Sequence, residues 1–110
     1  MRTALVMMVS VALAGLAGAT TIGDVVDAPA QYAGQQVTIV GTVTQETIGY
    51  RGESVYTLHD AGKRITVISR ANAPAAGDHL QVTATVGFRE PDEEFTWPPV
   101  LVESGRQLAP

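Results

Sequence analysis

Two histidines, His59 and His79, and eleven carboxylates are the side chains of this 110-residue chain best suited to acid–base or metal chemistry, and there is no cysteine. His59 stands next to Asp60 in SVYTLHDAGKRITVIS. An imidazole beside a carboxylate becomes catalytic only with a nucleophile, and Ser54, Ser69 and Ser104 lack the Gly-x-Ser-x-Gly elbow. Zinc needs three or four suitably spaced ligands. The histidines fall in different segments, with no His-Glu-x-x-His pair, so neither catalytic residue, metal nor cofactor is expected. The sharpest chemical feature is EPDEEFTWPP, where Phe95 and Trp97 follow Glu90, Asp92, Glu93 and Glu94. Aromatic faces with carboxylates can clasp a cationic peptide, a polyamine or a sugar. The same residues could instead plug one end of a β-structure while the charges keep the loop solvated. Their spacing matches no EF-hand loop.

These groups must be positioned by a short mature chain. Met1 to Ala19 opens with Arg2, continues as an apolar run and ends Ala17-Gly18-Ala19. That pattern is a secretory signal peptide with a small-x-small cleavage site, too short for a bilayer span. The expectation is a leader over 1–19 and one exported domain over 20–110, periplasmic or secreted, with no membrane span after cleavage. Without cysteines the domain depends on core packing alone. Losing Arg2 leaves six Lys and Arg against eleven Asp and Glu, a net charge of −5. Such an excess disfavours phosphate backbones and anionic lipid and favours cationic or neutral partners.

Along the mature chain, Thr21 can cap a short helix with Asp24 as its acidic partner and Ile22, Val25 and Val26 as an apolar stripe. Pro29 is expected to end it. From Val37 the period changes to two, placing Val37, Ile39, Gly41 and Val43 on one face. Gly41 suggests a bulge or a sharp bend. QETIGYRGE is expected to be a polar loop. Tyr56 and Leu58 then share a face opposite Val55, Thr57 and His59, Asp60 to Lys63 has turn composition, and Ile65 and Val67 return on the core side. RANAPAAGD is a connector with room for one helical turn. His79 to Phe88 alternates again, and Val100 to Leu108 forms the last strand. Five half-apolar strands in this order favour a closed barrel, which leaves no exposed edge.

The pattern Gly34-x-x-Val37-x-Ile39-x-Gly41-x-Val43, Tyr56-x-Leu58-x-Asp60, Ile65-x-Val67 and Pro74-x-x-Gly77-Asp78-x-Leu80-x-Val82 resembles small OB-fold domains. It is similar to exported bacterial OB-fold proteins and to OB domains of the tRNA-anticodon-binding type, over about Thr21 to Arg106. These are core and turn positions, so they identify a barrel and not its cargo. The resemblance implies an all-β, five-stranded OB-fold barrel with a short N-terminal helix. It also implies a binding face on the outside of the second and third strands, flanked by two loops. On this sequence the face carries Thr38, Val40, Thr42, Val55, Thr57, His59, Arg64, Thr66 and Ile68, with Tyr50 and Arg51 from one loop and Phe95 and Trp97 from the other. The His-x-x-x-Tyr motif of OB-fold haem chaperones has no match after His79.

The function expected from these readings is a non-enzymatic, exported binding module for a protein, peptide or glycan. Tyr50, Arg51, Thr57, His59, Arg64, Thr66, Phe95 and Trp97 are its candidate ligand residues. The alternative is single-stranded nucleic acid on the same face, which requires a cationic groove with aromatic platforms.

Overall fold

The computed structural model describes residues 20–48, 53–88 and 98–110, with the side chains of 45–48 excepted. The leader over 1–19 lies outside the described residues. Helix α1, Ile22–Asp27, starts where the sequence places it. The Asp24 N–H donates to Thr21 Oγ1 and the Thr21 N–H to Asp24 Oδ2, both at 3.0 Å. Together they close a capping box over donors that the first helical turn cannot satisfy. Pro29 does not simply end this helix. It opens a second, one-turn helix α2, Pro29–Tyr32, because proline's fixed φ and missing N–H suit the first helical position.

Five strands follow: β1 Gln36–Ile48, β2 Ser54–Asp60, β3 Lys63–Ser69, β4 His79–Gly87 and β5 Val100–Leu108. They close into a barrel in the order β1-β2-β3-β5-β4. All neighbours are antiparallel except β3 and β5, which run parallel over three residue pairs, Thr66↔Val100 to Ile68↔Val102. Strand β1 serves two partners. Gln36 to Thr42 pairs with β4, and Thr42 to Ile48 pairs with β2. The first part of the expected polar loop, Gln45–Ile48, is therefore strand. The connector 70–78 contains no helical turn.

Val37, Ile39, Val43, Tyr56, Leu58, Ile65, Val67, Leu80, Val82, Ala84, Val86 and Leu101 fill the interior, as period-two alternation requires. Ile22 and Val25 of α1 join them with no exposed surface. Each such burial contributes about 1.5–3 kcal/mol. Gly41 is not itself the bulge. The register of β1 shifts two residues later, between Val43 and Gln45. What Gly41 provides is room. A Cβ there would lie 3.2 Å from Ile22 Cδ1, 3.2 Å from the His59 carbonyl oxygen and 3.3 Å from Leu58 Cβ, so the missing side chain lets α1 seat against the barrel.

The β2–β3 hairpin turns through Ala61 and Gly62, at φ 52° and 82°. Two consecutive positive values are those of a type I′ turn, whose twist matches the flanking strands. That turn fixes the register Asp60↔Lys63, His59↔Arg64 and Thr57↔Thr66.

Candidate functional site

Residues directly opposite one another in a sheet project from the same face. The registers therefore place Thr57, His59, Arg64 and Thr66 together on the outside of β2 and β3, joined by Thr42 of β1. A groove of about 440 Å³ lies over this face, lined by Thr44, Thr57, Arg64, Ile65, Thr66 and Pro98. Thr44, next after the buried Val43, faces outward by the strand's alternation, and the register of β1 shifts beside it, between the Val43↔Leu58 and Gln45↔Thr57 pairs. Three of the eight candidate residues, Thr57, Arg64 and Thr66, line the groove. His59 projects from the same face beside Arg64. Tyr50, Arg51, Phe95 and Trp97 lie outside the described residues.

The electrostatics of the face differ from those of the whole chain. Among the described residues, the outward positions Thr38, Val40, Thr42, Thr44, Val55, Thr57, His59, Arg64, Thr66 and Ile68 include no carboxylate. The described ion pairs lie elsewhere: Asp27 with Lys63 at the foot of α1, at 3.2 Å, and Glu103 with Arg106, at 3.2 Å. Arg64 is exposed and has no described carboxylate partner. Hydroxyls and an exposed guanidinium can bind oxyanions or carbonyl groups of a chain-like ligand.

A second polar cluster, which the sequence reading passed over, sits at the other end of β2. Glu103 of β5 points inward opposite Ala84, and Arg106 points inward opposite Val82. Residues three apart in a regular strand face opposite sides. These two share the interior because β5 bulges at Ser104, where the register shifts between Thr83 and Ala84. The Glu103 carboxylate accepts hydrogen bonds from the Tyr56 hydroxyl and from Ser69 Oγ (2.9 Å), and pairs with Arg106 Nη1. The guanidinium carbon lies 5.6 Å from the centre of the Tyr56 ring, and Nη2 donates to the Asn72 carbonyl. Ser54 Oγ donates to the Ala71 carbonyl at 2.8 Å, and the Ala71 N–H donates to Ser69 Oγ at 3.0 Å. The cluster thus fastens the connector 70–72 to the barrel. Burial, reinforced by the neighbouring Glu103 carboxylate, raises the Tyr56 phenol far above its ordinary range, so it stays protonated and donates. Every described polar group of this cluster has a partner within it, which makes it a structural lock.

The described residues contain no group of three His, Asp or Glu side chains placed to hold a metal ion. No protein-family model matches the chain, and a search of curated proteins returns no match. Solved structures do match. The barrel superposes on an aspartyl-tRNA synthetase from Entamoeba histolytica with a TM-score of 0.64 at 15% identity, covering 82% of this chain and 21% of that one. A putative aspartyl-tRNA synthetase from Leishmania major gives 0.62 at 14%, covering 81% and 20%. The Stn1–Ten1 complex of S. pombe gives 0.53 at 20%, covering 67% and 57%. The barrel is an OB-fold. The chain spans about a fifth of the length of the two synthetases, and at these identities the likeness is one of fold. In OB-folds the outer face of the second and third strands is the general binding location, and on this barrel the corresponding face carries the groove beside Arg64.

Proposed function

We propose that this protein is a non-catalytic OB-fold binding module whose groove over β2 and β3 holds a single strand of nucleic acid. The observation that carries the proposal is the local charge of the face. Arg64 lies exposed amid the hydroxyls of Thr44, Thr57 and Thr66, with no described carboxylate at the outward positions of β1–β3. The net charge of −5 expected after loss of the leader disfavours a polyanion, but attraction at a groove follows the charges lining it more closely than the chain's total. The solved structures similar to this chain add support, since they include two aspartyl-tRNA synthetases. Export through the 1–19 leader is part of the proposal, and the mass of the protein recovered from its producing cell tests cleavage after Ala19.

The experiment is a titration of a labelled oligothymidylate of about a dozen nucleotides, matched to the site sizes of OB-folds, across a salt series. Binding that weakens steeply with salt, with a slope that shrinks by about 0.7 in Arg64→Gln, supports the reading. No binding at low salt refutes it.

A second reading, a protein or peptide partner, is favoured by a separate observation. Val55, Ile68 and Val102 align in one row across β2, β3 and β5 on the outer surface, and Val102 is 48% exposed. An OBody bound to hen egg-white lysozyme is also similar in structure, with a TM-score of 0.55 at 15% identity. A glycan partner has no comparable observation in its favour. Under the protein reading, Val102→Glu abolishes partner binding and leaves oligonucleotide affinity unchanged.

A further inference from the structure

Thr42 is the residue at which β1 changes partners, and this brings the two histidines together. It stands opposite His59 on β2 and opposite His79 on β4. His59 in turn stands opposite Arg64 on β3. Since opposed residues share a face, Arg64, His59, Thr42 and His79 form one row across four strands, about 15 Å long at the usual strand spacing. Both histidines are exposed. Nothing in the sequence spacing brings positions 59 and 79 together; the double pairing of Thr42 does.

We infer that this row is an oxyanion track that extends the binding face beyond β2–β3 onto β4, and that its grip on the phosphates of a single strand strengthens as the histidines gain protons. The inference rests on the nucleic-acid reading above. Thr42 Oγ1 and His79 Nδ1 share a hydrogen bond of 3.2 Å. In the protonated ring Nδ1–H donates to the hydroxyl, which leaves Nε2–H for a phosphate oxygen. Imidazole is the side chain whose charge ordinarily changes between about pH 5 and 8. A proton on each ring would add positive charge in line with Arg64.

The surroundings permit this. His59 faces Arg64 from β3 and Thr42 from β1, and at the adjoining turn Lys63 is engaged with Asp27 while Asp60 follows His59 in the chain. His79 faces Thr42 from β1, and on the β5 side its carbonyl accepts the Ala109 N–H. The preceding Asp78 accepts the Ala75 N–H through its carboxylate. A metal is a weaker use of the row. Two imidazoles fall short of the three protein ligands of a catalytic zinc site, and Arg64 adds a positive charge beside them.

The test measures oligothymidylate affinity against salt for the purified protein at about pH 8 and about pH 5.5, spanning imidazole titration. Each phosphate neutralised on a single strand adds about 0.7 to the slope of log affinity against log salt. The slope is expected to steepen by about 1.4 at the lower pH. It steepens by about 0.7 in His59→Gln or His79→Gln, and not at all in the double variant. Arg64→Gln lowers the slope at both pH values and keeps the difference between them. Thermal unfolding checks that the variants, altered only at exposed positions, remain folded. Binding with the same slope at both pH values, or a double variant that steepens like the parent, overturns the inference and leaves the nucleic-acid reading standing. Loss of all binding at both pH values overturns both.

Discussion

Removing the Glu103 carboxylate should destabilise the barrel more than any single change at its surface. The side chain is 5% exposed and accepts from three donors: the Tyr56 hydroxyl, Ser69 Oγ and the Arg106 guanidinium. In Glu103→Ala the guanidinium, itself only 19% exposed, keeps the Asn72 carbonyl as its described partner and has no counter-charge. Stripping one member from a buried pair costs about 3–5 kcal/mol. A domain of this size has about 5–15 kcal/mol of total stability. The melting temperature should therefore fall by about 15–30 °C. The companion variant Glu103→Leu/Arg106→Leu removes both charges. Because the penalty arises from the charge left behind, the double variant should unfold within about 2 kcal/mol of the parent. Urea unfolding followed by circular dichroism measures both. A single variant within about 1 kcal/mol of the parent, or a double variant less stable than the single one, would refute the reasoning.

Other consequences follow from single contacts. The Tyr56 phenol ionises far above its ordinary value in the folded state because it is buried and faces Glu103. Its raised value means that the folded state holds this proton more tightly than the unfolded state. The resulting stability is complete below about pH 10 and is lost as pH rises beyond it. Tyr56→Phe should flatten that alkaline decline relative to the parent in pH-dependent unfolding. Gly41→Ala places a Cβ 3.2 Å from both Ile22 Cδ1 and the His59 carbonyl oxygen. It should cost about 1–3 kcal/mol, partly recovered by Ile22→Val, and an unchanged melting curve would show that α1 does not need that gap. Ala61 occupies a left-handed position at φ 52°. Ala61→Gly should stabilise by about 0.5–1 kcal/mol, because the first central position of a type I′ turn suits glycine, and a loss of stability would contradict the turn assignment.

The interior was legible because alternation is a local signal. Val37, Ile39 and Val43, Tyr56 and Leu58, and Ile65 and Val67 can each be assigned to the core from their own strand alone, and all are buried. The capping box at Thr21 and Asp24 is local in the same way. Pro29 illustrates an ambiguity of composition, since proline marks a helix start as readily as a helix stop. What escaped the sequence depends on pairing. The inward placement of both Glu103 and Arg106 follows from the bulge at Ser104, and period-two alternation alone assigns them to opposite faces. Ser-Gly between two charged residues is the one trace of that bulge in the sequence. Likewise, His59 and His79 become neighbours only because Thr42 pairs on both sides. Net charge sums over the chain, whereas strand register decides which charges share a surface.

The most direct test of the proposed binding face is to map the amide resonance shifts of the isotope-labelled protein as an oligothymidylate of about a dozen nucleotides is added. The proposed binding face predicts shifts concentrated on Thr42, Thr44, Thr57, His59, Arg64, Thr66 and His79, with α1 and Val102 unmoved. Shifts centred on α1 or on Val102, or no shifts at low salt, would contradict it.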